Sequence, residues 1–507
     1  VIYIDYEGGS DANTGTSQTS AFKHHPWDEN ATGNAAACSG VKTYVFKRGV
    51  IYRGTLTADE SGTEGNPIRL TSDPSWGSGE ACLFASERIT SGWARCSAAD
   101  VHNIPSPTSV WYIDLPFTIE DAPYDCCPTA AKVYTELLVE MTGSGYSRIN
   151  LARAPNWTIT NVNYPLADWW TVAMTAASTV TLPQTFGITA AADWIGGNVW
   201  ATWGSGTGAG ANMATVQQGT ITNFNGSAAV IDITTNPGNK FFVENLPHLL
   251  DEPGEFYYSP IAPFPRRLYV RLSGDRDPNT AVLEVGARPN IIRLVNRNNI
   301  VISGLTIGLN NQPRPGTASP EPSHWNNSDG HCQAVELSGT CSNIEVSNCA
   351  FRYVVMGIAQ RRDTAVPPSI FNNIRVTDND MAYVEDQAIQ VCNGITGGST
   401  RNISILRNKL YFIGYRQTCR NYSAIPAINV TGATSAEIAG NMVDYTWGSG
   451  INGDWRTGNT AQPGSQIRVL IHHNKVTTTS LGLNDYGGIE GWNGGPAFFY
   501  CNISGNN

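Results

Sequence analysis

The chain has 507 residues, a net charge of −10, and 15% charged against 41% hydrophobic residues. That composition is too apolar and too aromatic for a disordered chain. The negative balance argues against nucleic acid and an anionic membrane surface as partners, and it disfavours a strongly polyanionic glycan. No apolar run reaches membrane-spanning length, and no secretory leader remains. The chain opens at Val1 rather than Met, and residues 1–6 already read as a strand, so a processed, secreted chain is expected.

Residues 1–150 alternate short apolar pieces with turns, at 45–46, 51–52, 68–70 and 83–84. They are expected to form an N-terminal cap and the early coils of a solenoid. Residues 151–275 hold Trp157, Trp169, Trp170, Trp194, Trp200 and Trp203, then a glycine-rich run at 204–210. No helix start follows that run, so it is a loop and not a phosphate cradle. This stretch reads as an inserted β-rich module. Residues 276–507 carry a repeat.

The repeat is marked by Asn348, Asn379, Asn408, Asn441, Asn474 and Asn502, spaced 28 to 33 residues apart. Most lie beside an apolar alternation such as Ile374-Arg-Val or Ile403-Ser-Ile. A fixed period of this length signals a solenoid, and short strands without helical periodicity make each repeat one coil of a parallel β-helix. The asparagines are expected at left-handed bends, with their amides bonded along the stack. A second register pairs a small residue with isoleucine: Gly357–Ile358, Ala388–Ile389, Ala427–Ile428, Gly450–Ile451 and Gly488–Ile489. Insertions at 411–425 and 477–487 fall at one point of the repeat, with a further one around 310–331 in an earlier coil. Such insertions wall a binding face. Asn502 opens a coil that the sequence ends five residues later. The expectation is a missing C-terminal cap, or an end that another surface covers by self-association.

Eleven cysteines without a CxxC pair or a Cys/His cluster do not read as a zinc site. Pairs such as Cys332/Cys341 and Cys392/Cys419 are expected as disulfides of an extracellular protein. Sequons at Asn30, Asn156, Asn225, Asn326, Asn402, Asn421, Asn429 and Asn502 are candidate glycosylation sites.

The opening Tyr3-Ile-Asp-Tyr-Glu-Gly-Gly-Ser-Asp, the stretch Phe46-Lys-Arg-Gly-Val-Ile-Tyr-Arg-Gly, Ala152-Arg-Ala-Pro-Asn and Leu249-Leu-Asp-Glu-Pro-Gly-Glu-Phe-Tyr-Tyr resemble secreted right-handed parallel β-helix proteins of the pectate-lyase-like superfamily. Its glycoside hydrolases are the nearest in pattern. The resemblance touches nearly the whole chain and implies an all-β fold, a right-handed parallel β-helix with an inserted module, and secretion. The fold also hosts lyases, epimerases, adhesins and spikes.

Glycoside hydrolysis needs two carboxyl groups flanking the bond, and successive coils lie about 4.8 Å apart. Acids recur just after the small-Ile register. Asp454 and Glu490 are the expected catalytic pair, with Asp485 and Asp386 in reserve. Trp455 and Trp492 would stack on sugars; Arg456, His331 and Glu385 would bind sugar hydroxyls or charge. Asp and Glu in solenoid turns also cap amides or bind calcium. Asp378 and Asp380, two residues apart on one strand face, leave structural calcium possible; no other cofactor or metal is implied. The expected partner is a polysaccharide or other glycan, with no nucleic acid and no membrane span. Two rivals stand beside the hydrolase: a non-catalytic structural or adhesive subunit of an extracellular filament, and a polysaccharide lyase.

Overall fold

The computed structural model describes residues 1–97, 103–121, 133–143, 145–158, 160–161, 165–176, 178–203, 215–233, 238–259, 265–312, 332–360, 370–392, 400–416, 426–453, 468–482, 487–491 and 497–505. Among them the one α-helix is Gly33–Ala36, and the rest of the regular structure is almost wholly strand. Three long sheets are parallel throughout. Sheet A has ten strands from Ile2–Ile4 to Ala497–Tyr500, sheet B eight from Leu56–Thr57 to Ile489–Glu490, and sheet C nine from Ile51–Arg53 to Ile503–Gly505. From Ile292 onward the chain visits B, A and C in turn, coil after coil. That stacked path is consistent with a β-helix.

The period-2 alternation explains why these strands stack. Ile292, Val335, Ile358, Ile389, Ile428 and Ile451 lie in register on sheet B, and all point into one buried apolar cluster. That cluster runs from Ile2 to Val476 along the stack. Each such side chain contributes about 1.5–3 kcal/mol on burial. The small residue before each isoleucine has a steric cause. A Cβ on Gly357 would stand 2.2 Å from the carbonyl oxygen of Ala388, and one on Gly450 would stand 2.5 Å from that of Gly488.

The asparagine ladder exists, with two corrections. Asn379, Asn408, Asn441, Asn474 and Asn502 occupy it, but its first rung is Cys349 and not Asn348. Each ladder Oδ1 accepts the backbone N–H one coil earlier. Each Nδ2 donates to a carbonyl oxygen, as Asn408 does to Val376 at 2.9 Å. Asn408 Nδ2 also donates to Asn441 Oδ1 at 3.0 Å. The left-handed residue is the one before the ladder position: Asn348, Asp378, Arg407, Gly440, His473 and Cys501 all have φ between 53° and 67°. The bend precedes the asparagine, and the asparagine turns inward to satisfy the backbone that the bend leaves unpaired. A second file, Asn299, Asn343 and Asn373, lies on sheet A and is itself left-handed; its amides also bond from coil to coil.

Between two adjacent coils the chain makes a long excursion. Leu56–Thr57, Ile68–Gly77 and Cys82–Phe84 pair directly with Ile292–Val295, Asn298–Ser303 and Thr306–Gly308. The intervening residues build two further eight-stranded sheets, almost entirely antiparallel, whose strands run from Ser86 to Gly286. They extend on both sides of 151–275 and have apolar cores of their own.

The expected Cys332–Cys341 disulfide does not form. Cys341 is a buried thiol, its Sγ 3.4 Å from the carbonyl oxygens of Leu294 and Ser338. The strand Gln333–Ser338, about 20 Å long, separates the two cysteines. Cys38, Cys82, Cys349 and Cys501 are thiols too, and burial pushes that of Cys349 up to about 12. Cys419, the expected partner of Cys392, lies outside the described residues. The calcium reading of Asp378 and Asp380 is also displaced. Arg407 donates to both Asp378 oxygens at 2.7 and 2.6 Å, and Arg352 lies 2.6 Å from Asp380. Among the described residues no group of acids, histidines and cysteines could hold a metal ion.

Candidate functional site

Because the isoleucines of sheet B point inward, the residues that follow them point to the outer face. The register sets Arg293, Glu336, Ala359, Gln390, Asn429, Asn452 and Glu490 in one column. The column is polar except at Ala359, is buried at Glu336, Gln390 and Asn429, and has a carboxylate near each end. Glu336 is fully buried and accepts from Arg293 Nε at 2.7 Å. Glu490 is half-buried, and its carbonyl accepts from Gly453 N at 2.9 Å. Asn429 donates to Gln387 Oε1 at 3.2 Å, which ties the middle of the column to the corner leading in from sheet C. At the N-terminal end, an open cavity of about 570 Å³ is lined by Trp27, Thr57, Asn290 and Arg293, with Asp28, Asp59 and Glu120 among its acids. Burial raises the carboxyls of Asp28 and Glu120 above the usual range.

Glu385 and Asp386 form the corner between sheets C and B, held by backbone bonds to Val354 and Val355 of the preceding coil. Here the antiparallel body meets the parallel stack through buried charge. Arg148 donates to Glu385 Oε1 at 2.6 Å and to the carbonyl of Glu136 at 3.0 Å. Arg416, one coil on, donates to Glu136 Oε2 at 2.5 Å and Glu244 Oε2 at 2.7 Å. Tyr134 Oη and Trp200 Nε1 donate to the remaining oxygens of Glu136 and Glu244. All five charged side chains are at most 7% exposed. Burial alone would lower the Arg416 proton affinity, but Glu244, Glu136 and Glu385 outweigh it and hold the guanidinium charged. Trp169 of the body stacks on Trp447 of the stack at 5.9 Å.

The expected site residues divide accordingly. Glu490 lies on the column and half-buried Asp386 at its corner. Glu385, expected to meet substrate, is instead buried against Arg148, so its carboxylate joins body to stack. Asp454, Asp485, Trp455, Arg456, Trp492 and His331 lie outside the described residues, as do the sequons Asn326 and Asn421. Asn30 and Asn225 are exposed, whereas Asn156 is half-buried with its amide on Asp251. Sequence reasoning missed Gln390, Asn429 and Asn452, although their place after each inward isoleucine was a usable signal. It also missed Glu136, Arg148, Glu244 and Arg416, which no local pattern connects.

No family model and no curated protein matches the chain. Solved structures do. A protein described as a glycoside hydrolase is similar over 99% of this chain and 88% of its own, with a TM-score of 0.64 and 15% identity. XylC, solved in complex with xylose, is similar over 99% of this chain and 66% of its own, with a TM-score of 0.50 and 14% identity. At such identities the likeness concerns the fold.

Proposed function

We propose that this chain is a secreted glycoside hydrolase built on a right-handed parallel β-helix, and that it acts on a neutral glycan lying along sheet B. The observation that carries the reading is the register column on the outer face of that sheet, which ends on Glu490 beside Asn452. The similar folds described as a glycoside hydrolase and as a xylose complex support it. The acid-lined cavity at one end favours uncharged sugars over uronates, because carboxylates repel a carboxylated ligand.

Spacing along the stack argues against some pairs. Glu336 and Glu490 are five strand steps apart, about 24 Å, too far to flank one bond. Asp386 is three steps from Glu490, about 14 Å along the stack, and also too far. Asp454 follows Asn452 by two residues, and Asn452 is the register neighbour of Glu490. Asp454 and Glu490 therefore remain the acid and its partner in this reading, with Asp386 serving a neighbouring sugar.

The test is incubation with a panel of neutral and acidic glycans, following reducing ends and product structure. Saturated products from a neutral glycan are expected. Unsaturated products would make the chain a lyase. No release from any glycan, together with assembly into filaments, would overturn the enzymatic reading.

A further inference from the structure

Resting on that reading, we infer that Trp157 and Tyr415 form a sugar-stacking subsite at the seam between the antiparallel body and the parallel stack, beside the Glu385–Asp386 corner. Sugar rings present an axial C–H face that packs on an aromatic face. A platform therefore needs an indole that is held firmly and partly open. Trp157 is half-buried, whereas Trp169, Trp194, Trp200 and Trp447 are buried. Its ring lies 5.3 Å from that of Tyr415, tilted by 42°. The Arg153 guanidinium lies 5.5 Å from its centroid. Arg153 is itself anchored, 4.0 Å over Phe242 and donating from Nε to the carbonyl of Pro155 at 3.1 Å.

The partner ring is placed by the coil that carries the acids. Gly414 N and Tyr415 N both donate to the carbonyl of Val384, at 2.9 and 3.0 Å, so Tyr415 sits one coil beyond Glu385 and Asp386. Arg416, the next residue, is locked to Glu136 and Glu244 of the body. The seam cannot slide without stranding those charges, so the two rings keep a fixed relation. Tyr353, Tyr383 and Phe412 stack face to face at 4.7 and 5.1 Å, nearly parallel, so that both faces of Tyr383 are covered. Trp111 is also half-buried beneath an arginine, Arg95 at 4.9 Å, but belongs to the antiparallel body and pairs with no solenoid strand. It is the natural control.

The experiment measures dissociation constants for cellohexaose, xylohexaose and an oligogalacturonate by calorimetry, with turnover of any hexasaccharide that is cleaved. Trp157→Ala should weaken binding of the preferred neutral hexasaccharide about tenfold and raise KM alike, leaving kcat within twofold. Trp157→Phe should recover most of the loss, and Trp111→Ala should change nothing. Unchanged binding in Trp157→Ala, with a wild-type circular dichroism spectrum, overturns the subsite. Binding that needs Trp157 without any cleavage keeps the subsite and defeats the hydrolase reading. Failure of the wild type to bind any of the three overturns both.

Discussion

The parallel coils after Ile292 and the antiparallel body between Ser86 and Gly286 are stabilised in different ways. The coils repeat one solution: an inward isoleucine, a small residue before it, and a buried asparagine that bonds the backbone of the coil below. Every contact is between neighbours, so stability is distributed as in other stacked repeats. The body has no repeat and meets the coils through an apolar patch, Leu137 and Val139 against Phe84, Leu309 and Tyr353, and through strongly coupled groups: two arginines against three glutamates, and Trp169 against Trp447. Distributed contacts should tolerate single losses in proportion to the bonds removed, whereas a buried charge cluster should fail as a unit.

The largest expected effect is therefore at the seam. Arg416→Met strands Glu136 and Glu244 without their cation, at a cost of about 3–5 kcal/mol in denaturant unfolding. Adding Glu136→Gln and Glu244→Gln to that variant should restore most of the loss, because the uncompensated charge goes with them. Full additivity of the three changes would show that the groups do not act together. Next comes the ladder. Asn408→Ala removes two donated and two accepted bonds in a fully buried position and should cost about 2–4 kcal/mol.

A third effect depends on pH. Burial, then the charge of Asp251, raises the Glu255 carboxyl to about 8 from an ordinary 4.5. Between those values the folded chain binds more protons than the unfolded one, so stability falls as pH rises from 4.5 to 8. Glu255→Gln should therefore gain about 1–3 kcal/mol over wild type at pH 8 and little at pH 4. Equal gains at both would show that Glu255 does not titrate high. The smallest effect is Asn402→Ala on the exposed face of sheet A: at φ 56° an alanine is strained and the bond to Asn372 is lost, for about 1 kcal/mol. A loss there as large as that of Asn408→Ala would erase the distinction between buried and exposed asparagines.

This contrast also explains what was legible beforehand. Period and small-Ile register are local patterns that stacking copies from coil to coil, so Ile358, Ile389, Ile428, Ile451 and Ile489 could be aligned by eye. Asn348 has the residue type of the ladder, but the strand register advances the rung to Cys349. Glu490 and Asp386 could be placed near the column because they follow that register. The role of Glu385 could not, since its partner Arg148 is 237 residues away. Nor could the direct stacking of residues 56–84 on 292–308, where the chain departs and returns with no repeat to mark it.

Whether the outer column of sheet B is catalytic is read from turnover of a neutral oligosaccharide by wild type, Glu490→Gln, Asp454→Asn and Asp386→Asn. A loss of at least a hundredfold in kcat is expected for the first two variants, and for Asp386→Asn a smaller loss carried by KM. Wild-type kcat in both Glu490→Gln and Asp454→Asn would contradict this and move the chemistry off that end of the column.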